Sequence, residues 1–166
     1  MDPNRLIEQY SSLLSGYCLH LCQNSHDAQD LFQDTWERVL KESKKRKTPL
    51  SHEKAWLIRV CTNLYIDRFR KRCREQYAEF ADNEQKDAFL QNVPDPSRRE
   101  DFSELYDALS RLSPPLKAVI VLKYFYGYKD SEIADFLSIP EGTVRSRLHA
   151  GKLQLRSDLS DEASHR

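Results

Sequence analysis

Between positions 143 and 156 the chain carries Thr143, Arg145, Ser146, Arg147, His149, Lys152 and Arg156, a concentration of hydrogen-bond donors of several shapes. Arg145, His149, Lys152 and Arg156 recur at spacings of four, three and four, so a helix stacks them in one stripe. Val144, Leu148, Gly151 and Leu155 repeat those spacings one residue earlier, giving the same helix a packing face on which Gly151 permits close approach. A packed face beside a donor face is what a helix lying in a DNA major groove requires: phosphate contacts position it, and bidentate contacts to base edges specify sequence. An isolated helix of this kind would more simply be a solvated basic face. Here the preceding short pattern with Glu132, Ile133, Ala134 and Leu137, and the tight turn after it, favour a helix-turn-helix.

A second constellation lies upstream, where Arg59, Asn63, Asp67, Arg70 and Arg74 fall on one helical stripe beside Trp56, Tyr65 and Phe69. Cations hold a backbone by charge and exposed rings stack unpaired bases, so the combination suits single-stranded nucleic acid. The three aromatics serve equally well as core residues. In "CLHLCQNSH", Cys18, Cys22 and His26 share a helical face, with His20 nearby. A zinc site needs four convergent ligands, and Leu19 and Leu21 commit this helix to packing, so buried structural thiols are favoured over a regulatory zinc or redox site. No Gly-rich phosphate loop, paired carboxylates or nucleophile motif stands out, so neither catalysis nor a cofactor is expected.

The elements that must position these residues are helical. The chain has 166 residues, 39% apolar and 31% charged, with four glycines, and it lacks sustained alternating β-branched runs. Leu6, Ile7, Tyr10, Leu13, Leu14, Tyr17 and Leu21 mark an opening helix from about Asn4 to Gln23. Asn24 and Ser25 offer caps for a second, to about Glu42, with Leu31, Phe32, Trp36, Val39 and Leu40 opposite Asp30, Gln33, Asp34 and Glu37. After the loop Ser43–His52, a third runs from about Glu53 to Gln76. Ala78 to Pro96, rich in acid and amide, reads as a mostly flexible linker. Ser97 and Glu100 match a capping box opening a helix through Leu112, and Ser113–Pro114 restarts the chain. Helices from about Pro114 to Tyr126, Asp130 to Leu137 and Glu141 to Leu159 follow, with Gly127 as a stop. The expectation is all-α: a domain over 1–77, a linker over 78–96 and a domain over 97–160.

Charge is distributed in blocks although 26 basic and 26 acidic side chains cancel overall. From Lys41 to Arg74 twelve Lys and Arg face Glu42, Glu53 and Asp67, a balance of +9. Met1 to Leu40 carries two basic against six acidic residues, or −4, and Glu75 to Asp95 one against six, or −5. A phosphate backbone feels such blocks, because screening acts over about 10 Å. No run is long enough for a membrane span and the N-terminus is unlike a signal peptide, so a cytoplasmic location is expected.

Three segments, "DAQDLFQDTWERVL", "AWLIRVCTNLYIDRFRKR" and "LSPPLKAVIVLKYFYGYKDSEIADFLSIPEGTVRSRLHAGK", together resemble the second and fourth conserved regions of extracytoplasmic-function (ECF) sigma factors. The resemblance runs from about Leu6 to Leu159. It implies a region 2-like bundle that binds the RNA polymerase clamp and the melted minus-10 element, and a region 4-like helix-turn-helix that reads the minus-35 duplex. Asp27, Asp30, Gln33, Asp34 and Glu37 would then face the clamp coiled coil of the largest core subunit. Lys44, Lys45, Arg46 and Lys47, with Trp56, Arg59, Asn63, Asp67, Arg70 and Arg74, would meet the minus-10 strand. Thr143, Arg145, Ser146, Arg147, His149, Lys152 and Arg156 would meet the minus-35 element. Implied partners are the core polymerase, through its clamp and flap, promoter DNA and an anti-sigma factor. Two departures stand out: Ala150 occupies a position where the family often has arginine, and Ser138 replaces the usual turn glycine, so that it either adopts a left-handed backbone or the turn is built differently. The competing readings are a helix-turn-helix regulator with an N-terminal sensing or dimerisation bundle, and a metal-dependent enzyme built on the Cys18 to His26 cluster.

Overall fold

The structure, a computed structural model, describes residues 2–46, 52–80 and 103–164. Asp2 accepts from the Asn4 amide at 3.0 Å and Pro3 fills the first turn, where its missing N–H has no partner to lose, so helix α1 runs Pro3–Cys22. It buries Leu6, Leu14, Tyr17, Cys18 and Leu21 and ends on Gln23, at φ 60°. Asn24 then accepts from the Asp27 amide at 2.8 Å and opens α2, Ser25–Lys45. Its buried stripe is Ala28, Leu31, Thr35, Trp36, Val39 and Ser43. Lys44 and Lys45 lie in the last turn of α2 rather than in a loop, where cations meet the negative end of the helix dipole. Helix α3, Glu53–Phe80, extends past Gln76 into the segment expected to be linker. Lys47, most of that segment and the capping box at Ser97 and Glu100 lie outside the described residues.

The second unit comprises α4 (Ser103–Arg111), α5 (Pro114–Ile120), a π-helical turn (Val121–Phe125), α6 (Asp130–Leu137) and α7 (Glu141–Ser164). The expected single α-helix to Tyr126 is therefore corrected. The wider π turn keeps Val121 and Leu122 buried while bringing Tyr126 against α1, and such turns are rare in ordinary helices. Gly127, at φ 70°, closes it: its amide bonds to the Lys123 carbonyl, and the Tyr128 amide to that of Leu122. Helix α6 ends in the same manner on Ser138, at φ 54° and ψ 47°, so this serine does adopt the left-handed backbone. The Ile139 amide returns to the Ala134 carbonyl at 3.1 Å.

No strand occurs among the described residues, and the architecture is all-α. Helices α1, α2 and α3 pack on one another, as do α4 to α7, and α3 also meets α5 and α6. The buried side chains accordingly form one contiguous core from Leu6 to Leu148. Two small cores would each be marginal, since fully burying a leucine or valine supplies only about 1.5–3 kcal/mol. No helix among the described residues is long and apolar enough to cross a membrane.

Candidate nucleic-acid interface

The α7 helix presents the arrangement its spacing requires. Val144, Leu148 and Gly151 are buried and Leu155 half-buried, while Arg145, Ser146, His149, Lys152 and Arg156 are exposed and Thr143 and Arg147 half-buried. Ile120 of α5 fills the space that a Gly151 side chain would need. Arg145 is steadied by Glu141 one turn back, at 3.4 Å, and the Lys152 ammonium sits over the exposed Tyr124 ring, 5.5 Å from its centre. Both leave donors facing solvent. Ala150 is exposed on the same helix.

On α3, Asn63, Asp67, Arg70 and Arg74 are exposed in a row, and Asp67, Phe69, Arg70, Cys73 and Arg74 line a shallow groove. The aromatics divide. Trp56 is 7% exposed and lies beneath the Arg46 guanidinium, 5.0 Å from its ring centre, so it belongs to the core. Tyr65 is half-buried with its hydroxyl accepting from Lys117 at 2.9 Å, and burial raises its pKa. Phe69, 44% exposed, is the one of the three rings available for stacking. Arg59 leaves the stripe: its Nε and Nη2 donate to the carbonyls of Phe136 and Asp135, at 3.2 and 2.8 Å. Lys44, Lys45 and Arg46 are exposed at the end of α2, with Arg46 lying over Trp56 near the start of α3.

The acidic face of α2 is only partly free. Asp30, Gln33, Asp34 and Glu37 are exposed and Asp27 is half-buried. Asp34 pairs with Arg68, and Asp27 accepts from Arg72 at 3.2 Å, so α3 holds two of these carboxylates. Burial alone would raise the Asp27 carboxyl, but hydrogen bonds from Asn24 and Arg72 outweigh it and hold its pKa below the usual value. Glu37 pairs with Lys41 within its own helix, and Asp30 has His26 at 3.6 Å. Arg68 and Arg72 escaped the sequence reading because pairing between α2 and α3 depends on how the helices cross.

The thiols are not gathered with His26. Cys18 is buried with its sulfur 3.6 Å from that of Cys61, and burial pushes the half-buried Cys22 thiol up to about 12. His26 stands beyond the helix break, its side chain 86% exposed, next to Asp27 and Asp30. Thiols held protonated in this way are poor metal ligands and poor nucleophiles.

Two family models match the chain: Sigma-70 region 2 over residues 6–75 and Sigma-70, region 4 over residues 102–155. The chain is 34% identical over 165 residues to the ECF RNA polymerase sigma factor SigE of Mycolicibacterium smegmatis, an alignment covering 97% of this chain and 63% of that protein. It is 31% identical over 171 residues to the ECF RNA polymerase sigma factor SigW of Bacillus subtilis, covering 94% and 88%. Among solved structures, the sigma factor RpoE of Bartonella quintana, in complex with the anti-sigma factor NepR, shares the fold with a TM-score of 0.69 and 22% identity, over 95% of this chain and 96% of that one. The fold and the two surfaces thus define a two-domain sigma-70-type protein. The chain belongs to the ECF RNA polymerase sigma factors.

Proposed function

We propose that this chain is the promoter-specificity subunit of a bacterial RNA polymerase, working in the cytoplasm and contributing binding energy rather than catalysis. The observation that carries the reading is the pairing, in one chain, of an exposed donor stripe on α7 with an exposed cationic groove on α3. The first suits the minus-35 duplex, with Arg145, Ser146 and His149 toward base edges and Lys152 and Arg156 toward phosphates. The second suits the melted minus-10 strand, with Arg70 and Arg74 on the backbone and Phe69 under a base. The exposed acids of α2, Asp30 and Glu37 with Gln33, suit a basic element of the core polymerase clamp. A helix-turn-helix regulator would need the first surface alone and would leave the other two without a role.

The domain boundaries follow this division of labour: residues 1–77 for polymerase and minus-10 contacts, 97–160 for the minus-35 contact. A protein that buries these faces would act as an anti-sigma factor. The test is transcription reconstituted from core polymerase, this chain and a promoter library. Promoter-dependent initiation that requires the chain is the expected result. Duplex binding without any effect on core polymerase would favour the regulator.

A further inference from the structure

Helix α7 exposes a second stripe beside its donors. Ser146, Ala150, Leu153 and Ser157 recur at spacings of four, three and four, one residue after Arg145, His149, Lys152 and Arg156, and all four are exposed. The stripe is uncharged and its centre is apolar. Leu153 is 52% exposed, and the Ser146 hydroxyl donates to the Thr143 carbonyl of its own helix at 3.0 Å. The packing of α7 on α4, α5 and α6 uses Val144, Leu148, Gly151 and Leu155, which leaves Ala150 and Leu153 at the surface. A lone exposed leucine is ordinary on a protein. Here it lies one turn from an exposed alanine and alongside the donors assigned to duplex DNA, so the docking that seats Arg145 and His149 carries this stripe into the groove as well.

We propose that Ala150 and Leu153 read thymine in the minus-35 element by apolar contact with its C5-methyl group, which makes them specificity-determining residues. The inference rests on the reading of α7 as the duplex-facing helix. Thymine is the one unmodified base whose major-groove edge carries an apolar group; guanine, adenine and cytosine present N7, O6, N6–H and N4–H groups there. Covering one of those with a leucine strips its water and returns no hydrogen bond, whereas covering the methyl removes apolar surface from water. The pair therefore favours thymine and disfavours each alternative without donating a hydrogen bond. Side chains three apart on a helix have Cβ atoms about 5–6 Å apart, against a base-pair rise of about 3.4 Å, so the patch spans about two steps. Arg145 reads its part of the element by donors, and the next stripe reads its part by methyl groups.

Deoxyuridine tests this directly, since it lacks the methyl and keeps every hydrogen-bonding atom of thymine. The minus-35 sequence preferred by the chain with core polymerase is first selected from a randomised library, and each thymine on either strand is then replaced by deoxyuridine in turn. Promoter affinity should fall about fourfold at one or two thymines, the effect of burying one methyl group. For each protein variant the readout is the ratio of affinities for the thymine and deoxyuridine promoters, in which any general loss of binding or folding cancels. Ala150→Ser combined with Leu153→Gln should abolish the difference. Lys152→Ala, which weakens the complex through a phosphate contact, should retain it. A selected element without thymine, no methyl-sensitive thymine, a difference that persists in the double variant, or one lost equally in Lys152→Ala would each overturn the inference. The underlying reading fails separately: the wild-type chain then returns no preferred minus-35 sequence from the library at all.

Discussion

Gly151 of α7 lies so close to Ile120 of α5 that a Cβ at position 151 would stand 2.9 Å from Ile120 Cγ1 and 3.1 Å from its Cδ1. Helix α7 is seated by this contact, so its depth and rotation depend on a missing side chain. Gly151→Val is expected to destabilise the fold by about 1–3 kcal/mol through overpacking, despite removing a helical glycine. In a urea-melting cycle, Gly151→Ala combined with Ile120→Ala should cost less than the sum of the single changes. Additivity would place the strain elsewhere.

Ser138 holds a left-handed backbone that costs a residue with a Cβ about 1–2 kcal/mol. Ser138→Gly should therefore raise unfolding free energy by up to about 1 kcal/mol once the entropy of the added glycine is deducted. Ser138→Val should lower it. Chemical denaturation reads both, and a destabilising Ser138→Gly would show that the hydroxyl does more than tolerate the turn.

The α2 acids separate into Asp27 and Asp34, which pair with arginines of α3, and Asp30 and Glu37, whose partners lie within α2 itself. Asp30→Lys should leave stability within about 0.5 kcal/mol and weaken binding to core polymerase. Asp34→Lys should weaken that binding too, but it also breaks the pair with Arg68, an exposed contact worth about 0.2–1 kcal/mol, and places like charges together. Thermal melting and a core pull-down for each variant distinguish the two. Normal pull-down by both would remove α2 as the polymerase face.

Within α7, Arg145→Ala is expected to cost about 1–3 kcal/mol of promoter binding and to relax preference at one or two minus-35 positions. Lys152→Ala and Arg156→Ala should weaken all promoters alike. A randomised minus-35 library transcribed with each variant gives the profiles. A changed profile for Arg156→Ala beside an unchanged one for Arg145→Ala would reverse the orientation of the helix in the groove.

His20 gives the folded chain a pH dependence. Burial lowers its pKa below the ordinary value, and its hydrogen bond to Gly16 offsets this only partly. The folded state thus prefers the neutral ring, so its stabilising contribution is complete above the unfolded pKa of about 6.5 and is lost as pH falls through that value toward the folded one. Melting temperature should drop more between pH 7.5 and 5.5 for the wild type than for His20→Gln. Equal drops would assign the dependence to other groups.

The amino-acid sequence by itself determined the helices and the faces they expose. Helical periodicity specifies which of Val144, Leu148, Gly151 and Leu155 pack and which of Arg145, His149, Lys152 and Arg156 do not, because both follow from 3.6 residues per turn. The caps at Asn24 and Gly127 were equally legible, since they depend on local backbone chemistry. Tertiary structure decided the rest. Whether Trp56 is core or platform depends on Arg46 lying over it, and whether Asp34 is free depends on how α2 crosses α3. Lys117 carried one local signal, a cation inside the apolar run "PPLKAVIVL", but its acceptors, Leu21 and Tyr65, lie 96 and 52 residues away. Arg59 shows the limit most clearly. Its spacing places it in the α3 stripe, and only the docking of α6 turns its guanidinium from solvent to the Asp135 and Phe136 carbonyls.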